Sequence, residues 1–131
     1  MKTIKERDVK KSIRNNLPLL VSDIVAVIPI FTGTAKSAYS AAWVHGAEEG
    51  TPDLCAIMAA RGGHVIFIEC KRPNGGIQSI KQKEFQYKVS GLNNIHYVLA
   101  KSLADVVAYI QENITGKPVE KISEDYHNGK M

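Results

Sequence analysis

The stretch Gly50–Lys71, GTPDLCAIMAARGGHVIFIECK, decides how this chain folds. It opens on a turn and an acid, Gly50-Thr51-Pro52-Asp53. An apolar run follows, then Arg61-Gly62-Gly63, then a second apolar run ending in Glu69-Cys70-Lys71. Runs of this length, β-branched and aromatic and broken by a glycine pair, predict two strands, Leu54–Ala60 and His64–Cys70, joined as a hairpin. Polar residues do not alternate with apolar ones in either run, so both faces of the sheet are expected to be covered.

Before the hairpin, Thr3 to about Asn16 reads as a helix. Thr3 and Glu6 have the spacing of a capping box, and Val9, Ile13 and Leu17 form one apolar stripe. Pro18 is expected to stop it. Asp23–Phe31 is a β-branched run with Pro29 near its end, which predicts an edge strand. Thr32–Glu49 is small and polar and reads as a long loop with a short helix near Ala38–Trp43. After the hairpin, residues 72–78 form a loop. Ser79 caps a helix running to about Ser90, with Gly91 as its stop. Asn94–Ala100 is a fourth strand, and Ser102 caps a helix to about Glu112. The order α-β-β-β-α-β-α predicts an α/β domain with a central mixed sheet flanked by helices. That domain is expected over residues 1–113, with 114–131 as a polar, loosely ordered tail.

The chain has 131 residues, 44% hydrophobic and 23% charged, enough for one domain with a real core. No run of eighteen apolar residues occurs, and the start MKTIKERDVKK has no apolar signal segment, so an intracellular protein without a membrane span is expected. Cys55 and Cys70 lie inside apolar runs and are expected to be buried free thiols. The net charge of +4 is modest, but its distribution is uneven. Basic residues crowd 1–16 and 71–88, and the acids Glu48, Glu49, Asp53 and Glu69 lie between them. This pattern suits a phosphate backbone held beside a metal; on charge alone two solvated helix faces explain it equally well.

If the hairpin turns near Arg61, facing residues have numbers summing to about 122. Asp53 then falls opposite Glu69, with Cβ atoms roughly 5 Å apart. Lys71, two residues beyond Glu69, shares that face. Two carboxylates so close repel unless a cation or a proton lies between them. A hard cation such as Mg²⁺ or Mn²⁺ fits oxygen ligands, and the Cys70 carbonyl is a third candidate. Such an ion would polarise a phosphoryl oxygen, and Lys71 would orient water or stabilise the developing charge. A turn aspartate and a surface Glu69–Lys71 pair are the plainer reading of the same residues.

The set Pro52-Asp53, then Glu69-Cys70-Lys71 sixteen residues after the aspartate, resembles the PD-(D/E)XK nuclease superfamily. Gly50-Thr51-Pro52-Asp53-Leu54, Ile68-Glu69-Cys70-Lys71-Arg72-Pro73, a glycine pair and Gln82 on the next helix resemble its VRR-NUC family. The resemblance covers roughly residues 3 to 110 and implies a restriction-endonuclease-like core. It implies that Asp53 and Glu69 bind metal, that Lys71 is the catalytic lysine, and that Gln82 and Glu6 are further site residues. Arg72, Lys81, Lys83 and Lys88 are expected to contact the nucleic-acid backbone. Stand-alone members of the family, often from phages and bacteria, resemble Holliday-junction resolvases. The implied activity is therefore a Mg²⁺- or Mn²⁺-dependent DNA endonuclease, selective for branched DNA and acting as a homodimer. The alternatives are a nuclease without structural preference and a non-catalytic DNA-binding subunit.

Overall fold

The computed structural model describes residues 3–32, 34–36 and 43–116. Helix α1 (Glu6–Leu20) leads into strand β1 (Ile24–Pro29). A short ribbon follows, β2 (Thr34–Lys36) against β3 (Trp43–His45). Then come β4 (Leu54–Met58), β5 (His64–Cys70), α2 (Ile80–Val89), β6 (Ile95–Ala100) and α3 (Leu103–Ile110). The main sheet is ordered β1-β4-β5-β6; β1, β4 and β5 are antiparallel and β6 runs parallel to β5. The expected α/β class, the mixed sheet and the order of its elements are all present. The edge place of β1 fits Pro29, which has no N–H to give a second neighbour.

One face of the sheet is built as a core. Leu54, Ala56, Met58, Ile66, Ile68 and Cys70 alternate along β4 and β5 and are buried against Val9, Ile13 and Leu17 of α1 and Val106 and Ile110 of α3. Each large side chain fully removed from water stabilises the fold by about 1.5–3 kcal/mol. On the other face the expectation of full cover is corrected. Phe85 of α2 packs edge-on against Phe67, with ring centroids 5.0 Å apart, and also meets Tyr97. Ile28, Ile57 and Leu99 are more than a third exposed. A ten-residue helix with only a partial apolar stripe is too small to cover four strands.

Other boundaries differ from those expected, and β4 ends at Met58 because Ala60–Gly62 form a single 3-10 turn. Lys5, not Thr3, is the residue before the first turn of α1, and the carboxylate of Asp8, not Glu6, accepts its N–H at 2.9 Å. The helix runs through Pro18 to Leu20. Pro18 removes one bond, to the Arg14 carbonyl one turn back, and both residues are exposed, so water replaces it. The 32–49 segment is not a plain loop: β2 and β3 pair, and Thr32 bridges Ala47. Residues 37–42, which hold most of the expected short helix, lie outside the described residues. At the other end the helical path continues through Thr115, with Ile114 in the core, two residues beyond the expected domain boundary. Residues 117–131, most of the expected tail, are outside the described residues. Both cysteines are free, Cys70 buried and Cys55 half-buried. Among the described residues no helix is long and apolar enough to cross a membrane.

Candidate metal centre

The observed hairpin register is Leu54↔Ile68, Cys55↔Phe67, Ala56↔Ile66. Continuing it by one step brings Asp53 opposite Glu69. Asp53 has already left the strand, and its carboxylate bends across to accept the Cys70 N–H at 2.9 Å. A residue's N–H and C=O leave a strand on the same side, so the Cys70 carbonyl also turns toward Asp53. The N–H of Lys71, one residue on, points the other way and is taken by Ala100 of β6.

The third carboxylate arrives from the opposite side of the sheet. Glu6 is the first residue of α1, exposed, with its backbone held in place by the buried stripe of that helix. One carboxylate oxygen each from Glu6, Asp53 and Glu69 lie within 4.8 Å of one another. Because Asp8 performs the capping, Glu6 is left to face the other two acids.

Glu69 is 1% exposed, and its Oε1 is buried with no hydrogen-bond partner. The ammonium of Lys71, itself buried, is 3.8 Å from the other oxygen, Oε2, which is longer than a hydrogen bond. Burial above all pushes the Glu69 carboxyl up to about 8. The nearby Asp53 carboxylate acts in the same direction, Lys71 pulls against both, and Glu6 adds a smaller upward push. Without a cation, then, the cluster holds a proton at neutral pH. An orphaned buried oxygen amid three convergent carboxylates fits a hard divalent cation, which removes both the repulsion and the unmet acceptor. The Cys70 thiol is pushed up to about 12, by burial first and then by Asp53 and Glu69, so it stays a thiol and offers its carbonyl rather than its sulfur.

The wall facing this cluster is the N-terminal turn of α2. Ser79 Oγ accepts the Gln82 N–H at 3.2 Å, and Gln82 Oε1 accepts the Ser79 N–H at 2.8 Å. Gln82 lines the cleft together with all three acids, and among the described residues its carboxamide N–H₂ remains free to donate. The turn that delivers Asp53 is pressed against this helix. Gly50 has φ +93°, and a Cβ there would lie 2.6 Å from the Lys81 carbonyl oxygen. Gly50→Ala should therefore cost at least about 1–3 kcal/mol in strain alone and displace Asp53. Urea unfolding measures this; an unchanged midpoint would contradict the packing described.

The basic residues do not act as one group. Lys81 is paired with Glu49 at 3.0 Å, both exposed. Helical spacing sets Lys88 on the same flank of α2 as Lys81 and turns Lys83 to the opposite flank. Arg72 lies on the far side of Lys71, its guanidinium folded back to the Gly75 carbonyl at 3.4 Å. Lys5, one of the basic residues that crowd 1–16, lines the cleft that holds Lys71 and Arg72.

Comparison with family models, curated proteins and solved structures finds no match to this chain. The fold and the cluster describe an α/β domain with three convergent carboxylates at the end of its central hairpin.

Proposed function

We propose that this protein is a Mg²⁺- or Mn²⁺-dependent endonuclease that hydrolyses DNA phosphodiesters. The observation that carries the reading is the meeting of three carboxylates from separate elements, one of them a buried orphan, beside a buried lysine. Acids alone are common on protein surfaces. A desolvated lysine held 3.8 Å from one of them, without satisfying it, is a costly arrangement unless it has a task.

Glu6, Asp53 and Glu69, with the Cys70 carbonyl, would hold the cation, which supplies Lewis acidity and neutralises negative charge at the phosphate. Lys71 donates from within the fold toward the cleft, where its ammonium orients the attacking water or stabilises charge on the phosphate oxygens. Gln82, fixed by its bond to Ser79, offers a neutral donor at the opposite wall. The first turn of α2 and Gly50–Thr51 wall one side of this corner.

Selectivity for branched DNA and a homodimer that cuts two strands symmetrically are proposed from the resemblance noted in the sequence. One assay tests activity and selectivity together: labelled four-way junction, flap, linear duplex and single strand, each with Mg²⁺, Mn²⁺ or EDTA. Metal-dependent cutting with preference for the junction is expected. Equal cutting of linear DNA would remove the branched preference, and no cutting of any substrate with either ion would overturn the enzyme reading.

A further inference from the structure

The acid cluster lies between two clefts of opposite character. The first is lined by Glu49, Asp53, Glu69 and Gln82 among others. Its lining cation, Lys81, is already paired with Glu49. The second, a cavity of about 650 Å³, runs between the start of α1 and the loop that follows β5. It contains Lys5, Lys71 and Arg72 against the single acid Glu6. Glu6 belongs to both clefts, so a strand crossing the acid centre passes from one into the other.

The second cleft has the features of a nucleotide site. Neither Lys5 nor Arg72 is in an ion pair among the described residues, and Arg72 spends one of its five N–H groups on a long bond to Gly75. The two face the cavity from opposite walls. Ile4 and Ile77, also on opposite walls, are 56% and 79% exposed, apolar edges that suit a sugar or a base. The floor is fixed: a Cβ at Gly76 would be 2.9 Å from the Lys71 Cβ and 3.0 Å from the Arg72 carbonyl oxygen, so the loop is packed directly on the residues it serves. The start of α1 adds the positive end of its dipole.

We propose, resting on the nuclease reading above, that this cleft is a nucleotide subsite that grips the strand on one side of the cut only. Lys5 and Arg72 hold the phosphate next to the one being hydrolysed, and Ile4 and Ile77 flank its nucleoside. Among the described residues that line it, the acidic cleft on the other side offers no unpaired cation, because Lys81 is paired with Glu49.

The test uses DNA with a mapped cut position and a single neutral methylphosphonate in place of one neighbouring phosphate, on either side in turn. Wild-type protein should lose about tenfold or more in rate when the phosphate on one side is neutralised, the effect of one charge-assisted hydrogen bond. It should be nearly indifferent on the other side. In the Lys5→Ala, Arg72→Ala double variant, slower overall, the same methylphosphonate should cause no further loss. Both side chains are exposed, and Arg72→Lys, which keeps the charge without the fork, should retain part of the penalty. Equal sensitivity on both sides, or an unchanged penalty in the double variant, overturns the subsite while the nuclease reading stands. Failure of the wild type to cut unmodified DNA overturns the nuclease reading and the subsite with it.

Discussion

Lys71→Ala is expected to slow phosphodiester cutting by about 10²–10³-fold, the loss typical when a preorganised donor to developing charge is removed. DNA binding should change by no more than a few-fold, because the backbone contacts proposed for Lys5 and Arg72 remain. Lys71 is held by strand parity on the face of Glu69, its stem lies under Gly76, and its ammonium is 3.8 Å from the acid. A flexible surface lysine could be replaced by a neighbour; a buried one cannot. The change also removes the one positive charge that draws the Glu69 carboxyl down. The residual activity of the variant should therefore need a higher pH than the wild type. Lys71→Arg should not restore the rate, because a planar fork does not fit a site shaped around a point charge. Single-turnover rates across pH with Mn²⁺ read all of these effects, and full activity in Lys71→Ala would remove the proposed role.

The central hairpin was legible in sequence because its signals agree. The Gly62-Gly63 break, the two apolar runs and the sum of about 122 all give the register observed at Leu54↔Ile68. A one-residue slip would have turned Glu69 to the core face and separated it from Asp53, so the register and the cluster stand or fall together. Glu6 was legible as an acid at a helix start, but whether it capped the helix or faced the other acids was not, because Asp8 two residues later competes for the same capping duty. What escaped the sequence depended on contacts between distant segments. The Lys81–Glu49 pair links residues 32 apart and removes a cation that local charge counting had treated as free. The half-open sheet face depended on how much of it one short helix could cover, which periodicity along β4 and β5 does not encode. The extension of α1 past Pro18 turned on solvent access to a single carbonyl, a tertiary property.

Metal binding should oppose the pH dependence of stability. The Glu69 carboxyl titrates near 4.5 in the unfolded chain and at about 8 in the metal-free fold. Between those values the folded state holds the extra proton, so stability falls as pH rises. Its contribution is fully present below about 4.5 and lost above about 8. A divalent cation takes the place of that proton, so its affinity should rise over the same window and its binding should release a proton. At pH 8.5, Mn²⁺ at about one hundred times its dissociation constant should stabilise the fold by about 2.7 kcal/mol. For a domain of this size that is a rise in Tm of roughly 10 °C. The rise should shrink progressively toward pH 5, where the proton competes. Glu69→Gln keeps the shape but removes the titrating group and one ligand charge; it should flatten the metal-free profile and abolish most of the Mn²⁺ shift. Thermal melts of wild type and Glu69→Gln, with Mn²⁺ or EDTA from pH 5 to 9, read each of these changes. They need no substrate, so they test the cluster as a cation site independently of what it cuts. A Mn²⁺ shift as large at pH 5 as at pH 8.5, or one that survives Glu69→Gln, would place the binding elsewhere on the protein.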